Sequence, residues 1–298
     1  MSSVPVTATI SRAYGFLLGE IGTIVRLTWA PLLLGAGLSY LYGAPSVDGS
    51  GAVSAGPALF IISIVSFVTG MMAMAALLRV VVFGDRLPGL YVYLWPGAAE
   101  LRLIVVTLLL GIALVAAALG GGIVFALVAT LASAIPVLSV VLLAAIVGVI
   151  GLAIWVPLRL SLTYAVAVAE NSLGVERSWA LTRGNALRMF AVLLATYGAC
   201  TVVTWIALVT ILGADYPAPP AFPDLGGADA MKSEAAMKAV SEAFQKSLEQ
   251  WQIAFAKAIA AHWPEISVLT FVSNMVSTAL WAGATGSAYL SAAGPRHG

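Results

Sequence analysis

Six stretches of the chain are apolar almost without interruption: roughly Ile24–Tyr42, Pro57–Phe83, Leu103–Leu131, Val137–Ala169, Leu187–Gly213 and Ile266–Ala292. Each approaches or exceeds the roughly 20 residues that a helix needs to cross the hydrocarbon core of a bilayer, so six spans are predicted. The third and fourth runs are separated by "ASAIP", where Pro136 disfavours helix at Ile135 and predicts a tight re-entry. The fourth run is longer than a bilayer requires. Its end, from Trp155-Val156-Pro157, is predicted to tilt, kink or continue past the membrane surface.

Between the fifth and sixth runs the pattern changes twice. The segment "GADYPAPPAFPDLGGADA" is rich in proline and glycine and is predicted to be extended or loop-like. After it, Met237, Val240, Phe244, Leu248, Trp251, Phe255 and Ile259 follow at steps of 3, 4, 4, 3, 4 and 4, with Lys and Glu opposite. That is one apolar stripe along a long helix, and it must be covered by something. Docking on the membrane surface or on the protein's own helices is one cover, and a partner protein is another. The segment Thr7–Arg26 carries a shorter pattern through Ile10, Tyr14, Leu17, Leu18 and Ile21, broken by Arg12 and Glu20. It suits either an interfacial helix leading into the first span or an extension of that span.

Composition agrees with the pattern. Of the 298 residues 61% are hydrophobic and 9% charged, where a soluble domain carries about 25% charged residues. The fold class expected is therefore all-α, a polytopic membrane protein with six transmembrane helices, interfacial helices and one long extracytoplasmic amphipathic helix. Its parts are residues 1–213 (five spans with cytoplasmic interfacial helices), 214–264 (Pro-rich loop and amphipathic helix) and 265–298 (sixth span and C-terminus). No signal-peptide pattern precedes the first span, which is expected to be retained. The single cysteine, Cys200, lies in an apolar run, so no intrachain disulfide or Cys-based metal site is expected.

Charge supplies the orientation. Arginines border the spans at positions 12, 26, 79, 86, 102, 159, 177, 183, 188 and 296, while the first loop "GAPSVDGSGAVSAG" has no Lys or Arg. Short loops rich in Lys and Arg stay cytoplasmic. Every arginine then falls on one side if both termini are cytoplasmic, which places residues 214–264 outside. The four lysines all lie in that long loop, balanced by seven acidic residues from Asp215 to Glu265.

The arginines are densest in "RLSLTYAVAVAENSLGVERSWALTRGNALRMF", from Arg159 to Phe190. Asn171 or Ser172 is predicted to cap a short helix there, with Val175, Trp179 and Thr182 on one face. Gly184 suits its stop and Asn185 the next start. An amphipathic segment with Trp at the interface and Arg toward anionic headgroups would lie on the membrane plane. The candidate headgroup residues are Arg159, Glu170, Arg177, Trp179, Arg183 and Arg188; the candidate partner-interface residues are the seven of the long stripe.

Groups for catalysis are scarce. His262 and His297 share no motif with carboxylates or with each other, and no HExxH or Gly-x-Ser-x-Gly spacing occurs. Gly120–Gly122 lies in a span with no Lys-Ser/Thr after it, which suits a hinge or close packing and not a phosphate loop. The last span, "SNMVSTALWAGATGSAY", gathers small residues around Asn274 and suits a helix–helix contact face. Ion-coupled transport usually leaves ionisable groups within spans, whereas Arg26, Arg79, Arg159 and Arg188 sit near span ends. No catalytic residue, metal or cofactor is expected, and no nucleic-acid motif is present.

The stretch from Arg159 through Glu170, Gly174, Ser178, Trp179, Leu181, Thr182 and Gly184 resembles bacterial YciC-like six-span inner-membrane proteins. These are related to the membrane domain attached to some glycerophosphodiester phosphodiesterases. The N-terminal "ISRAYGFLLGEIGTIVRLTWAPLLL" fits that group loosely. The resemblance covers the membrane core and implies a bacterial inner-membrane location without a reaction; the phosphodiesterase activity is not carried over. The Pro-rich loop and long helix depart from the usual short connection and suggest a partner. The function expected is a non-enzymatic accessory, assembly or scaffold subunit of a larger membrane complex, in contact with membrane lipids and another integral membrane protein. The alternative is a lipid-handling or envelope-homeostasis protein.

Overall fold

The computed structural model describes residues 3–47, 53–54, 58–86, 93–94, 97–134, 138–220 and 234–294. Among them the chain is helical apart from turns and one two-residue ladder. The helices are α1 (Val6–Gly19), α2 (Ile21–Tyr42), α3 (Ala58–Phe83), α4 (Ala98–Ala134), α5 (Leu138–Arg159), α6 (Thr163–Glu170), α7 (Val175–Leu181), α8 (Ala186–Leu193), α9 (Ala199–Leu212), α10 (Glu234–Ala261) and α11 (Trp263–Ala293). The strands Ser46–Val47 (β1) and Val53–Ser54 (β2) pair antiparallel, Ser46 opposite Ser54.

Six helical stretches are long and apolar enough to cross a membrane: Ile21–Tyr42, Leu59–Phe83, Ala98–Ile123, Ile146–Glu170, Ala186–Asp215 and Trp263–Ala293. The protein is a polytopic all-α membrane protein. The N-terminal pattern forms a helix of its own: α1 stops at Gly19, and the Glu20 amide closes its last turn on Phe16 O at 3.0 Å before α2 begins. The turn predicted between the third and fourth runs falls where α4 ends and α5 begins, and these two helices pack against each other. Residues 135–137 lie outside those described, as do most of the Pro-rich segment (221–233), Arg296 and His297.

The fourth run breaks shortly after Pro157, a residue that has no amide to donate. Helix α5 ends at Arg159, and the chain turns through Ser161 N–H to Leu158 O (3.4 Å) and Thr163 N–H to Leu160 O (3.0 Å) before α6. A helix of 22 residues such as α5 is about 33 Å long, roughly the hydrocarbon thickness of a bilayer. The turn at Arg159 lies within the apolar stretch Ile146–Glu170.

The chain divides into two compact units: Met1–Leu32 with Val68–Cys200 and Met275–Gly298, and Leu33–Phe67 with Thr201–Asn274. The core of the first unit is built on α6, whose Thr163, Ala165, Val166, Ala167 and Val168 are all buried. Leu77 and Leu78 of α3, Leu103 of α4, Met189 of α8 and Tyr289 of α11 belong to the same unit's buried core. Small residues bring the last span close, as its sequence predicts. A Cβ on Gly286 would lie 2.6 Å from Val81 Cγ1, so no larger residue fits. Of the two roles expected for Gly120–Gly122, a hinge or close packing, close packing is not seen among the described residues: a Cβ there would meet nothing within 4 Å. Most of the described side chains along the middle of α4 and the latter part of α5 are exposed and apolar.

In the second unit α10 packs by its stripe. Phe255 and Ile259 lie against a cluster of Leu212, Ala258 and Ile266, beside Tyr216. Trp251 stacks on Phe255 with ring centroids 5.1 Å apart, and α10 also contacts β1.

Candidate functional site

The spans alternate in direction, so their arginine-bearing ends should meet, and within the first unit they do. Arg86, just after α3, grips Glu20 at the α1–α2 junction through Nη2–Oε1 (2.5 Å) and Nε–Oε2 (3.1 Å). Arg26 of α2 donates to Arg86 O at 2.5 Å. Arg102 near the start of α4 donates to Asn171 Oδ1 (2.7 Å) and Ala167 O (3.3 Å) at the end of α6. Glu170 is paired with Arg177 of α7 at 3.4 Å and accepts from the Tyr289 hydroxyl of α11 at 3.0 Å. Arg12 of α1 reaches Ser291 Oγ at 3.5 Å. Hydrogen bonds from Arg86, and from Thr23, hold the Glu20 carboxyl below the usual carboxylate range.

A buried carboxylate that the sequence reading passed over sits at the start of α4. Glu100 is 1% exposed and accepts the Gly97 amide at 2.8 Å, one half of a capping box. The Tyr93 hydroxyl donates to its other oxygen. Burial, and then this bond, push the Tyr93 phenol upward. The local signal was legible: Glu stands three residues after Gly97, at the third helical position.

The most built part of this face surrounds Arg159. Its carbonyl closes the end of α5 by accepting from Ser178 Oγ of α7 (3.0 Å), while the hydroxyl of Thr182, at the end of α7, lies between Arg159 O (2.9 Å) and Ser178 O (2.8 Å) and shares its one proton between them. Gly174, at φ +73°, lets the α7 turn approach α6: a Cβ there would stand 2.7 Å from Thr163 O. Gly174, Ser178 and Thr182 are thus a ridge of small groups at four-residue spacing, seated on the α5–α6 turn. Above it the Arg159 guanidinium lies 4.6 Å from the Trp179 ring centroid and 5.4 Å from that of Trp155. The two indoles meet edge to face at 5.0 Å.

Arg159 is 6% exposed, and its Nε is buried without a hydrogen-bond partner. Cation–π contact covers such a charge and contributes about 2 kcal/mol where it is desolvated, but it supplies no acceptor atom. An unpaired buried donor costs about 1–3 kcal/mol, more when charged.

Several local expectations are corrected here. Asn171 does not cap α7; it ends α6 in the left-handed conformation, φ 54°, and Gly174 stands before α7 with no side-chain cap. The buried face of α7 holds Ser178, Leu181 and Thr182, while Trp179 stays partly outside over Arg159. The reason is hydrogen bonding: Arg159 O needs the hydroxyl face. Asn185 precedes α8 as expected, yet its Oδ1 accepts Val4 N–H at 3.1 Å instead of an α8 amide.

Of the predicted headgroup residues, the structure joins Arg159 to Trp179 and Glu170 to Arg177. Arg183 and Arg188 are exposed, with no ion-pair partner among the described residues. Trp155 was missed, although it stands one helical turn before Arg159. Tyr289 and Arg102 were missed for want of any local signal, since their partners lie 119 and 69 residues away.

Of the predicted partner stripe, Val240, Phe244, Leu248, Trp251, Phe255 and Ile259 are all half-buried by their own chain; the Met237 side chain lies outside those described. His262 Nε2 meets Asp215 Oδ2 at 3.0 Å, and the Trp263 indole donates to Tyr40 O at 2.9 Å. Among the described residues no three His, Cys, Asp or Glu side chains gather in a metal-sized group.

Comparison with known proteins adds no neighbour: no family model, no curated protein and no solved structure matches the chain.

Proposed function

We propose that this is a non-enzymatic lipid-handling protein of the bacterial inner membrane, holding anionic headgroups at the arginine-bearing face of its first unit. The observation that carries this reading is the convergence of the arginine-bearing helix ends on one face, with Arg183 and Arg188 exposed and without an ion-pair partner among the described residues, and with Trp155 and Trp179 partly exposed on the same unit. Arginine with tryptophan at headgroup depth is the combination that meets anionic lipid. In this reading both termini are cytoplasmic and α10 is extracytoplasmic. The bacterial setting and the kinship with YciC-like proteins rest on the residues from Arg159 to Gly184.

The test is lipid analysis of the protein extracted in native nanodiscs. Anionic phospholipid should be enriched over the surrounding membrane and should fall toward the bulk ratio in the Arg183→Glu/Arg188→Glu double variant. A bulk ratio in the unaltered protein refutes the reading.

A second reading, an accessory or assembly subunit of a membrane complex, is favoured by the apolar sides of the α4–α5 hairpin. Open glycines at Gly111, Gly120–Gly122, Gly148 and Gly151 would let another helix approach closely. A stoichiometric membrane protein in the same nanodiscs would establish it; lipid alone would dismiss it.

A further inference from the structure

Four features around Arg159 combine in a way that packing alone does not require. The residue stands at the end of α5, which the lipid-handling reading places where the hydrocarbon meets the headgroups. The Ser178 hydroxyl donates to its carbonyl, and the Thr182 hydroxyl, shared with Ser178 O, lies within hydrogen-bond reach of the same oxygen. Two indoles frame its guanidinium, at 4.6 and 5.4 Å from the ring centroids. Yet among the described residues no side-chain nitrogen of Arg159 donates a hydrogen bond, and Nε is buried without a partner.

A guanidinium presents five N–H donors in a planar fork suited to an oxyanion. Here the fork is positioned on every side that the chain supplies, and only the acceptors are missing. A buried arginine without a partner is costly, and bidentate pairing with a phosphate is among the stronger hydrogen-bonding arrangements open to it. We infer that Arg159, framed by Trp155 and Trp179 and positioned by Ser178 and Thr182, is an oxyanion site that takes a phosphate group at the membrane surface. The phosphate comes either from a phospholipid headgroup or from solution; the recognition chemistry is the same. This deepens the lipid-handling reading and rests on it for the depth at which Arg159 lies. It differs in demanding one saturable site where an arginine-rich surface would give diffuse attraction.

The full-length protein in dodecyl maltoside micelles, which carry no phosphate, is titrated separately with dihexanoyl phosphatidic acid and with inorganic phosphate, following tryptophan emission. A saturable change is expected, since the ligand would sit beside two indoles. Arg159→Lys keeps the charge and removes the fork, and should raise the half-saturation concentration at least ten-fold. Gln245→Ala, on the exposed face of α10, should leave it within about two-fold.

If Arg159→Lys does not fold, Trp179→Phe serves, with a smaller emission change and a half-saturation raised about three-fold. Saturation by the lipid alone assigns the site to a headgroup, and saturation by inorganic phosphate assigns it to a soluble oxyanion; either supports the site. No saturation with either probe in the unaltered protein, or equal half-saturation in Arg159→Lys, overturns it. The general lipid reading fails separately, by absence of anionic-lipid enrichment in native nanodiscs.

Discussion

Helices α7 and α10 both look amphipathic in the sequence, and they bury their faces by different rules. On α10, which has 28 residues, the face turned to its own chain is the apolar stripe, with Phe255 and Ile259 against Leu212 and Ile266. On α7, which has 7 residues, the apolar pattern misleads: Ser178 and Thr182 turn inward and Trp179 remains partly outside. A long stripe sums many small transfer terms, and no single contact outweighs them. Two turns of helix carry few such terms, so the hydroxyl of Ser178 on the Arg159 carbonyl, with that of Thr182 within reach of it, decides the rotation. The contrast shows where periodicity can be trusted: on long helices, and less so on short ones that close another helix's end.

The strongest way to break this comparison is at Gly174. Alanine there meets both a positive φ and a backbone oxygen 2.7 Å from its Cβ, and should cost about 3 kcal/mol. The thermal transition in detergent should fall by several degrees, whereas Gln245→Ala on the exposed face of α10 should leave it unchanged. An equal transition in both variants would mean that α7 is not held by close approach.

Next in size is Phe255→Ala, which removes the ring between Trp251 and Tyr216. A loss of about 2 kcal/mol is expected for this half-buried aromatic. Amide hydrogen exchange should quicken along α10 and stay unchanged in α6. Uniform quickening would show that the stripe supports the whole protein.

Ser178→Ala and Thr182→Val should each cost about 1 kcal/mol. Together they should cost more than the sum, because the second removal leaves Arg159 O without a hydroxyl donor. Strict additivity in a double-mutant cycle would separate the two hydroxyls and weaken the account of how α7 is oriented.

The smallest effect is at the Glu20–Arg86 pair. Because Arg86 lowers the carboxyl pKa in the folded state, the pair's contribution is present above the unfolded Glu value, about 4.3. It is lost as pH falls through the lower folded value. The stability difference between the protein and Glu20→Gln should therefore shrink on acidification and shrink further in high salt, read by thermal transitions at several pH values. A difference that grows on acidification would reverse the sign and refute the pairing.

Much of the fold was legible in the chain. The six spans, the break after Pro157 and the separate long helix follow from composition within windows of about 20 residues, because transfer of apolar surface from water is a local, additive energy. The gathering of arginines was legible as well, since each one's position along its span is a property of sequence. The arrangement of those arginines was not. Arg159 and Trp155 share a helix face, but Trp179 joins them only when α7 folds back and Ser178 and Thr182 reach the end of α5. Glu170 finds Tyr289 across 119 residues. Hydropathy adds up along the chain, whereas cation–π contacts and hydrogen bonds depend on angstrom-scale geometry between distant segments, and only the tertiary structure sets that geometry.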